Sequence, residues 1–208
     1  QQNISVWENL SYENADRLIH DDREFWGLLY KFCQLAQEKR IENGALNMAR
    51  KEFEFDISNP EQVSILKLKR NSPSNLIIEE LAIAVNSETG RILNEAEFPG
   101  IYRTQSSYKI VKDAKDENRI QPENVRIEAA KLSTIAGAHA GLGCDVYMHA
   151  TSPIRRFADL ITQSQLKKLI KKEEPVFSTK DMMRWAEEVS FRQRRYNKAE
   201  RDIAQYWK

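Results

Sequence analysis

The sequence has few of the residues that hold small secreted proteins or membrane proteins together. Its two cysteines, Cys33 and Cys144, lie far apart without metal-type spacing. No apolar run approaches the roughly 18 residues of a membrane span, and the N-terminus shows no signal-peptide pattern. These absences argue against a disulfide scaffold and a membrane helix. They predict an intracellular protein, cytoplasmic or organellar (mitochondrion or plastid), with both thiols buried or inert.

Net charge is also nearly absent, since 32 basic side chains face 31 acidic ones and leave a formal charge of +1. Any nucleic-acid site must therefore be a local concentration of arginine and lysine, because the whole chain offers no strong attraction to a polyanion. What the chain does have is 208 residues, 41% of them hydrophobic. That is enough for one domain, or part of a larger one, with a sizeable core.

The spacing of apolar residues predicts a mainly helical α+β protein with a small antiparallel β element. Helices are predicted over residues 11–19, 24–40, 75–86, 124–132 and about 179–207. The alternating runs 52–57 and 64–69 predict a β-hairpin. Residues expected in the core of the N-terminal helices are Tyr12, Phe25, Trp26, Leu28, Leu29, Phe32, Leu35 and Ala36, and those expected later are Ile154, Phe157, Ala158, Ile161, Met183, Ala186, Val189 and Ile203.

The most informative stretch is TSPIRRFADL at residues 151–160. Ser152, followed by a proline, is typical of a helix start, which would place Arg155 and Arg156 in the first helical turn. Free N–H groups and two guanidinium groups at that position form a site for a phosphate. The same residues also fit a solvated pair in which Arg155 forms an i,i+4 ion pair with Asp159. The pattern alone leaves both interpretations open.

A second stretch, NLIIEELAIAVN at residues 75–86, has apolar residues around nearly the whole predicted helix. Deep burial is therefore predicted, yet Glu79 and Glu80 lie inside the run. Buried carboxylates require partners, because burial without pairing costs several kcal/mol. They would either fix neighbouring arginines or bind a ligand, and the sequence does not say which glutamate would do so.

Residues 151–160 resemble the signature near the C-terminal end of the catalytic domain of RNase II, or RNB, exoribonucleases, which degrade RNA from its 3′ end. The segments GALNM at 44–48, the glutamate helix and FPGIYR at 98–103 resemble further parts of that domain. The resemblance covers nearly the whole chain but about half of the family's catalytic domain. It implies that residues 1–208 are the C-terminal part of one RNB-type domain, without its metal-binding half or an S1 barrel.

The resemblance implies hydrolysis of single-stranded RNA to nucleoside 5′-monophosphates with Mg²⁺, in which Arg155 stabilises the transition state at the scissile phosphate. It also implies that one of the two glutamates contacts the 3′-terminal nucleotide. Met48 stands where the family has a base-clamping aromatic residue, and a methionine stacks less specifically. His149 would be a general base or, alternatively, a packing residue beside the site. The RNA-binding residues implied are Arg156, Glu79, Glu80, Tyr147, His149, Thr151, Ser152 and Met48.

The closely spaced aspartates that bind magnesium in the family have no counterpart in this sequence. No metal ligand is therefore predicted here, and the Mg²⁺ ligands are expected outside the chain. The partners implied are single-stranded RNA, the N-terminal half of the domain in cis or as a separate chain, and an RNA helicase, with no membrane. The alternatives are an RNA-binding module that has lost catalysis, or a structural helical domain whose arginines pair internally.

Overall fold

The computed structural model describes residues 5–6, 8–46, 52–56, 64–68, 72–110 and 125–206. The helices are α1 (Tyr12–Asp21), α2 (Trp26–Glu42), α3 (Pro73–Glu95), α4 (Phe157–Ile170) and α5 (Thr179–Tyr206). The strands are β1 (Glu52–Asp56), β2 (Ser64–Leu68), β3 (Tyr102–Thr104), β4 (Tyr108–Ile110), β5 (Val125–Ile127) and β6 (Lys131–Ser133). The mainly helical α+β class predicted from the sequence is confirmed.

Capping side chains set where two of the helices begin. The Ser11 hydroxyl accepts a hydrogen bond from Asn14 N at 3.2 Å at the start of α1. The Ser72 hydroxyl does the same for Asn75 N at 3.4 Å, and Pro73 occupies the first turn of α3. Each cap satisfies an N–H that has no partner inside the helix. Helix α2 ends before Gly44, whose φ of +91° suits a residue without a side chain.

In the described part of the chain the strands form three two-stranded antiparallel sheets, β1–β2, β3–β6 and β4–β5. The first is the predicted hairpin, in which Glu52 pairs with Leu68. The helix predicted over 124–132 is wrong, because this segment forms strands β5 and β6. Each of these strands pairs with a strand from the 102–110 region, so tertiary pairing overrides the local helical pattern.

The buried side chains form separate clusters between neighbouring elements. Helices α1, α2 and α3 meet around Ile19, Cys33 and Ile77. Strand β3 packs on α3 through Tyr102, Leu93 and Met148. Helices α4 and α5 pack around Ile101, Ile161, Met182 and Ala186. These contacts place residues 147–156 between α3 and α4.

Several residues expected in the core lie on the surface instead. Leu28, Phe32 and Leu35 on α2 are exposed, as are Phe25 just before α2 and Tyr12 on α1. Ile154, Phe157, Met183 and Ile203 are exposed as well, and on α5 the adjacent Met182 is buried in place of Met183. Helix α3 likewise exposes Ile78 and Val85. Apolar spacing identified amphipathic faces, but it did not determine which face the neighbouring elements cover.

Both cysteine thiols are buried and unpaired with each other, as expected. Burial raises the pKa of Cys33 and of Cys144, which disfavours the reactive thiolate. None of the helices in the described ranges combines the length and apolar character needed to cross a bilayer.

Candidate nucleic-acid interface

The motif at 151–160 begins with a turn rather than with a helix. The Ser152 carbonyl accepts hydrogen bonds from Arg155 N at 3.3 Å and Arg156 N at 3.0 Å. Helix α4 begins only at Phe157, and the backbone of Arg156 before it is extended. The prediction that Ser152 caps a helix carrying both arginines in its first turn is therefore wrong. Both arginines precede α4.

Asp159 is the residue that shapes this turn. Its side chain is fully buried, at 0% exposure. One carboxylate oxygen accepts Ser152 N at 2.7 Å and Arg156 Nη2 at 2.7 Å, and the other accepts Arg156 Nε at 2.8 Å. A bidentate arginine–carboxylate pair of this kind fixes the guanidinium plane. The guanidinium of Arg156 is thus fixed in place, and the alternative pair between Arg155 and Asp159 is not formed.

Arg155 has a different environment, although it is the adjacent residue. Its side chain is exposed, and the one side-chain hydrogen bond that it makes with a described residue runs from Nη2 to the Ser152 hydroxyl at 3.3 Å. It makes no ion pair with any residue in the described ranges. The guanidinium of Arg155 is therefore available to bind an anion, whereas the charge of the neighbouring Arg156 is neutralised by Asp159.

Asn86, on α3, fixes the segment of residues 147–151 that leads into this turn, and the sequence reasoning missed its role. Its Oδ1 accepts Ala150 N at 2.8 Å, while Nδ2 donates to the Tyr147 hydroxyl at 3.0 Å and to the Thr151 hydroxyl at 3.5 Å. Asn86 is 2% exposed. The signal that could have identified Asn86 is its position at the end of a run of apolar residues, because a buried amide there must find hydrogen-bond partners.

Tyr147 lies inside the protein, between two histidines. Its ring makes edge contacts with His139 and His149, at centroid distances of 5.5 and 5.9 Å. Burial lowers the pKa of His139 to about 4, as does the nearby charge of Arg103. Burial, with the charges of Arg156 and Arg103, likewise lowers the pKa of His149 to about 4. Both imidazoles are therefore neutral at physiological pH. Tyr147 is buried and His149 is half-buried, and their RNA-binding roles stay predictions.

These histidines predict a loss of stability in mild acid. An unfolded histidine has a pKa near 6.5, so between about pH 6.5 and 4 the unfolded chain binds protons that the native chain excludes. Stability should be constant above about pH 7 and fall by roughly 1–2 kcal/mol per histidine by pH 5. Urea unfolding at several pH values tests this. His139→Gln and His149→Gln should each flatten the profile.

The adjacent glutamates Glu79 and Glu80 of α3 have separate environments. Glu80 is 3% exposed and accepts a hydrogen bond from Arg40 Nε at 2.9 Å, with a second, shorter contact from Arg40 Nη2. Arg40 Nη1 also donates to the Leu142 carbonyl at 2.8 Å. For Glu80, the interpretation as a carboxylate that fixes an arginine is correct. Glu79 is exposed and has no hydrogen bond or ion pair with a described residue, so it is the glutamate that remains open to a ligand.

The structure does not describe every predicted site residue. Met48 lies outside the described residues, so the predicted base clamp stays a prediction. Within the described ranges, no three His, Cys, Asp or Glu side chains come together in a group that could hold a metal ion. The described residues therefore do not fit a magnesium site.

The fold and this motif define a class of protein: a mainly helical α+β domain with a turn that is anchored by a buried aspartate and that presents an arginine without an ion pair to any described residue. The model of the RNB domain family matches residues 3–172, and the chain belongs to this family. It is 24% identical over 250 residues to exoribonuclease 2 of Vibrio vulnificus (strain YJ016), covering 98% of this chain and 37% of that protein. The chain thus spans less than two fifths of the length of this curated relative.

Solved structures share the fold. A Candida glabrata Dss1 exoribonuclease active-site mutant matches with a TM-score of 0.70 and 20% identity, over 83% of this chain and 25% of that one. Mycoplasma genitalium RNase R in complex with ribose-methylated single-stranded RNA matches with a TM-score of 0.63 and 16% identity, over 86% and 35%. Yeast Ssd1, described as a pseudonuclease, matches with a TM-score of 0.62 and 15% identity, over 88% and 28%. The fold is therefore shared by nucleases and by a protein described as inactive.

Proposed function

We propose that this chain is the phosphate-binding, C-terminal part of the catalytic domain of a 3′-to-5′ exoribonuclease that hydrolyses single-stranded RNA to nucleoside 5′-monophosphates. The observation that carries the proposal is the contrast between two adjacent arginines. Arg156 is neutralised by the buried Asp159, while Arg155 is exposed without an ion pair. Membership of the RNB family supports the reading of that free guanidinium as a group for an RNA phosphate.

Arg155 would act on the charge that develops at the scissile phosphate. Phosphoryl transfer spreads negative charge over the equatorial oxygens, and a preorganised guanidinium stabilises it. The turn from Ser152 to Arg156 supplies the preorganisation, because Asp159 holds both ends of it. The exposed Glu79 is our candidate for the ribose contact, since a carboxylate can accept a hydrogen bond from the 2′-hydroxyl that distinguishes RNA from DNA.

Magnesium, which the family resemblance implies, finds no ligand group among the described residues. We therefore assign it no role in the chemistry of this segment. We propose that its ligands lie in the N-terminal half of the domain, in cis or on a separate chain. An RNA helicase is a further proposed partner, which rests on the resemblance alone.

The second candidate is an RNA-binding module without catalysis. Two observations favour it: the absence of a metal-ligand group among the described residues, and a fold shared with a protein described as a pseudonuclease. It would use the same exposed Arg155 to hold RNA without cutting it.

The proposed function predicts that Arg155→Ala lowers RNA hydrolysis roughly 100-fold or more, as expected for loss of one group that stabilises transition-state charge. Stability should change little, because Arg155 is exposed and its one hydrogen bond is long. The test is release of labelled mononucleotide from 3′-end-labelled RNA with magnesium, on a preparation whose copurifying chains are identified by mass.

The neighbouring substitution Arg156→Ala is the matched control, because it removes the same charge but leaves the buried Asp159 unpaired. It should lower the unfolding midpoint, which Arg155→Ala should not do. If the intact preparation hydrolyses RNA and Arg155→Ala does so equally fast, the catalytic assignment is wrong. If the preparation binds RNA without hydrolysis, the chain is the binding module.

A further inference from the structure

Arg103, on β3, lies beside the segment that leads into the motif, because its backbone N–H donates to the Tyr147 carbonyl. The proposed function gives this arginine no role. On β3, the adjacent Tyr102 is buried against Leu93 and Met148. Tyr102 forms an isolated antiparallel bridge with Met148, and Arg103 N donates to the Tyr147 carbonyl at 2.8 Å. Side chains alternate between the two faces of extended backbone. Arg103 therefore points away from that core, toward the side that carries Tyr147 and His149.

The guanidinium of Arg103 is half-buried and lacks a counter-ion within the described ranges. It takes part in no hydrogen bond or ion pair with a described side chain. Burial lowers the pKa of Arg103, and the positive charge of Arg156 lowers it further. The neighbouring carboxylate, Asp159, is already bound to Arg156.

The region around residues 103 and 147–159 therefore carries excess positive charge. Arg103, Arg155 and Arg156 contribute three cations, the described carboxylate of the motif is Asp159, and both histidines are neutral. The partly buried guanidinium of Arg103 loses part of its hydration, and no described carboxylate pairs with it in compensation. An arginine in this position is stabilised when an anion binds it, and the planar fork of its guanidinium suits a phosphate group.

We infer that Arg103 is a second phosphate-binding residue, which contacts an RNA phosphate group on the face that also presents Arg155. This inference rests on the proposed function for the identity of the anion as RNA. Arg103 would position the RNA strand, and Arg155 would act at the bond that is cleaved. Each phosphate contact of this kind also releases counter-ions, so it contributes to the salt dependence of binding.

The test uses the whole chain as wild type, Arg103→Gln, Arg103→Lys and Arg91→Gln. Arg91 is the matched control, because it is an exposed arginine on α3 that is paired with Glu88 and Glu95. Two probes are used: a fluorescently labelled single-stranded oligoadenylate without added magnesium, followed by anisotropy at several salt concentrations, and inorganic tripolyphosphate, followed by the shift in thermal midpoint.

Arg103→Gln should weaken oligoadenylate binding roughly tenfold. It should also reduce the slope of log affinity against log salt by about 0.7, which corresponds to one phosphate contact on a single strand. Arg103→Lys should restore part of the affinity and part of the salt slope, and Arg91→Gln should change neither quantity. Without a ligand, Arg103→Gln should have an unchanged or higher thermal midpoint, because it removes an uncompensated cation. A purely structural arginine would instead give a lower midpoint with normal binding.

The two probes separate failure of this inference from failure of the proposed function. Normal RNA binding and a normal salt slope in Arg103→Gln would overturn the inference and leave the proposed function standing. Tripolyphosphate stabilisation that depends on Arg103, without RNA binding by the wild type, would keep the anion site but overturn RNA as its ligand. A wild-type chain that responds to neither probe would overturn both.

Discussion

Replacing Asp159 by alanine is expected to lower the free energy of unfolding by about 3–5 kcal/mol, the range for removing one partner of a buried ion pair. Asp159 is fully buried and accepts hydrogen bonds from Ser152 N and from two nitrogens of Arg156. Alanine leaves the partly buried guanidinium of Arg156 without its carboxylate and the Ser152 N–H without its acceptor, and each of these losses is costly. Urea unfolding followed by circular dichroism measures the change.

The control for this substitution is Asp145→Ala, because Asp145 is exposed and makes no hydrogen bond with a described residue. Its effect should stay within about 0.5 kcal/mol. The loss of stability in Asp159→Asn should fall between those of Asp159→Ala and Asp145→Ala. An amide oxygen can still accept a hydrogen bond from Ser152 N, but it carries no charge to pair with Arg156. A loss below about 1 kcal/mol in Asp159→Ala would show that the turn is held by something other than this carboxylate.

Replacing Glu80 by alanine is expected to have a similar cost, again about 3–5 kcal/mol. The side chains of Arg40 and Glu80 are 16% and 2% exposed, so the pair is screened little by water. The pair joins α2 to α3, and Arg40 also donates a hydrogen bond to the carbonyl of Leu142, which precedes the 147–156 segment. Loss of Glu80 should therefore weaken the contacts among α2, α3 and the segment that begins at Leu142. A broader thermal transition with a lower midpoint would show this.

Glu79→Ala provides a matched control, because it removes the adjacent carboxylate from the exposed side of the same helix. It should change stability by about 0.5 kcal/mol or less. The double substitution Arg40→Leu with Glu80→Leu should recover part of the loss, since apolar replacement of both partners removes the unpaired charge. If Glu79→Ala and Glu80→Ala destabilise equally, the assignment of Glu80 as the structural carboxylate and Glu79 as the open one is wrong.

Two serine–proline pairs show which features the local sequence determines and which it does not. At Ser72, the hydroxyl caps α3 and Pro73 lies in its first turn, which is the usual arrangement at a helix start. At Ser152, the same pair forms a turn instead, and α4 begins at Phe157. The difference comes from Asp159, whose buried carboxylate binds the Ser152 N–H. A cap acts within three residues, whereas burial of Asp159 depends on how α4 packs against the rest of the fold.

The sequence by itself determined the mainly helical class, the hairpin of β1 and β2, the cap of α1 and the family motif around Arg155. Those features depend on periodicity, capping and turn residues, which act over a few neighbouring positions. Only the tertiary structure decided that 125–127 and 131–133 form strands, that Glu80 is paired with Arg40, and that Arg156 is neutralised while Arg155 has no ion pair with a described residue. Each of these depends on which distant segments meet, because pairing, burial and the choice of counter-ion are set by neighbours in space.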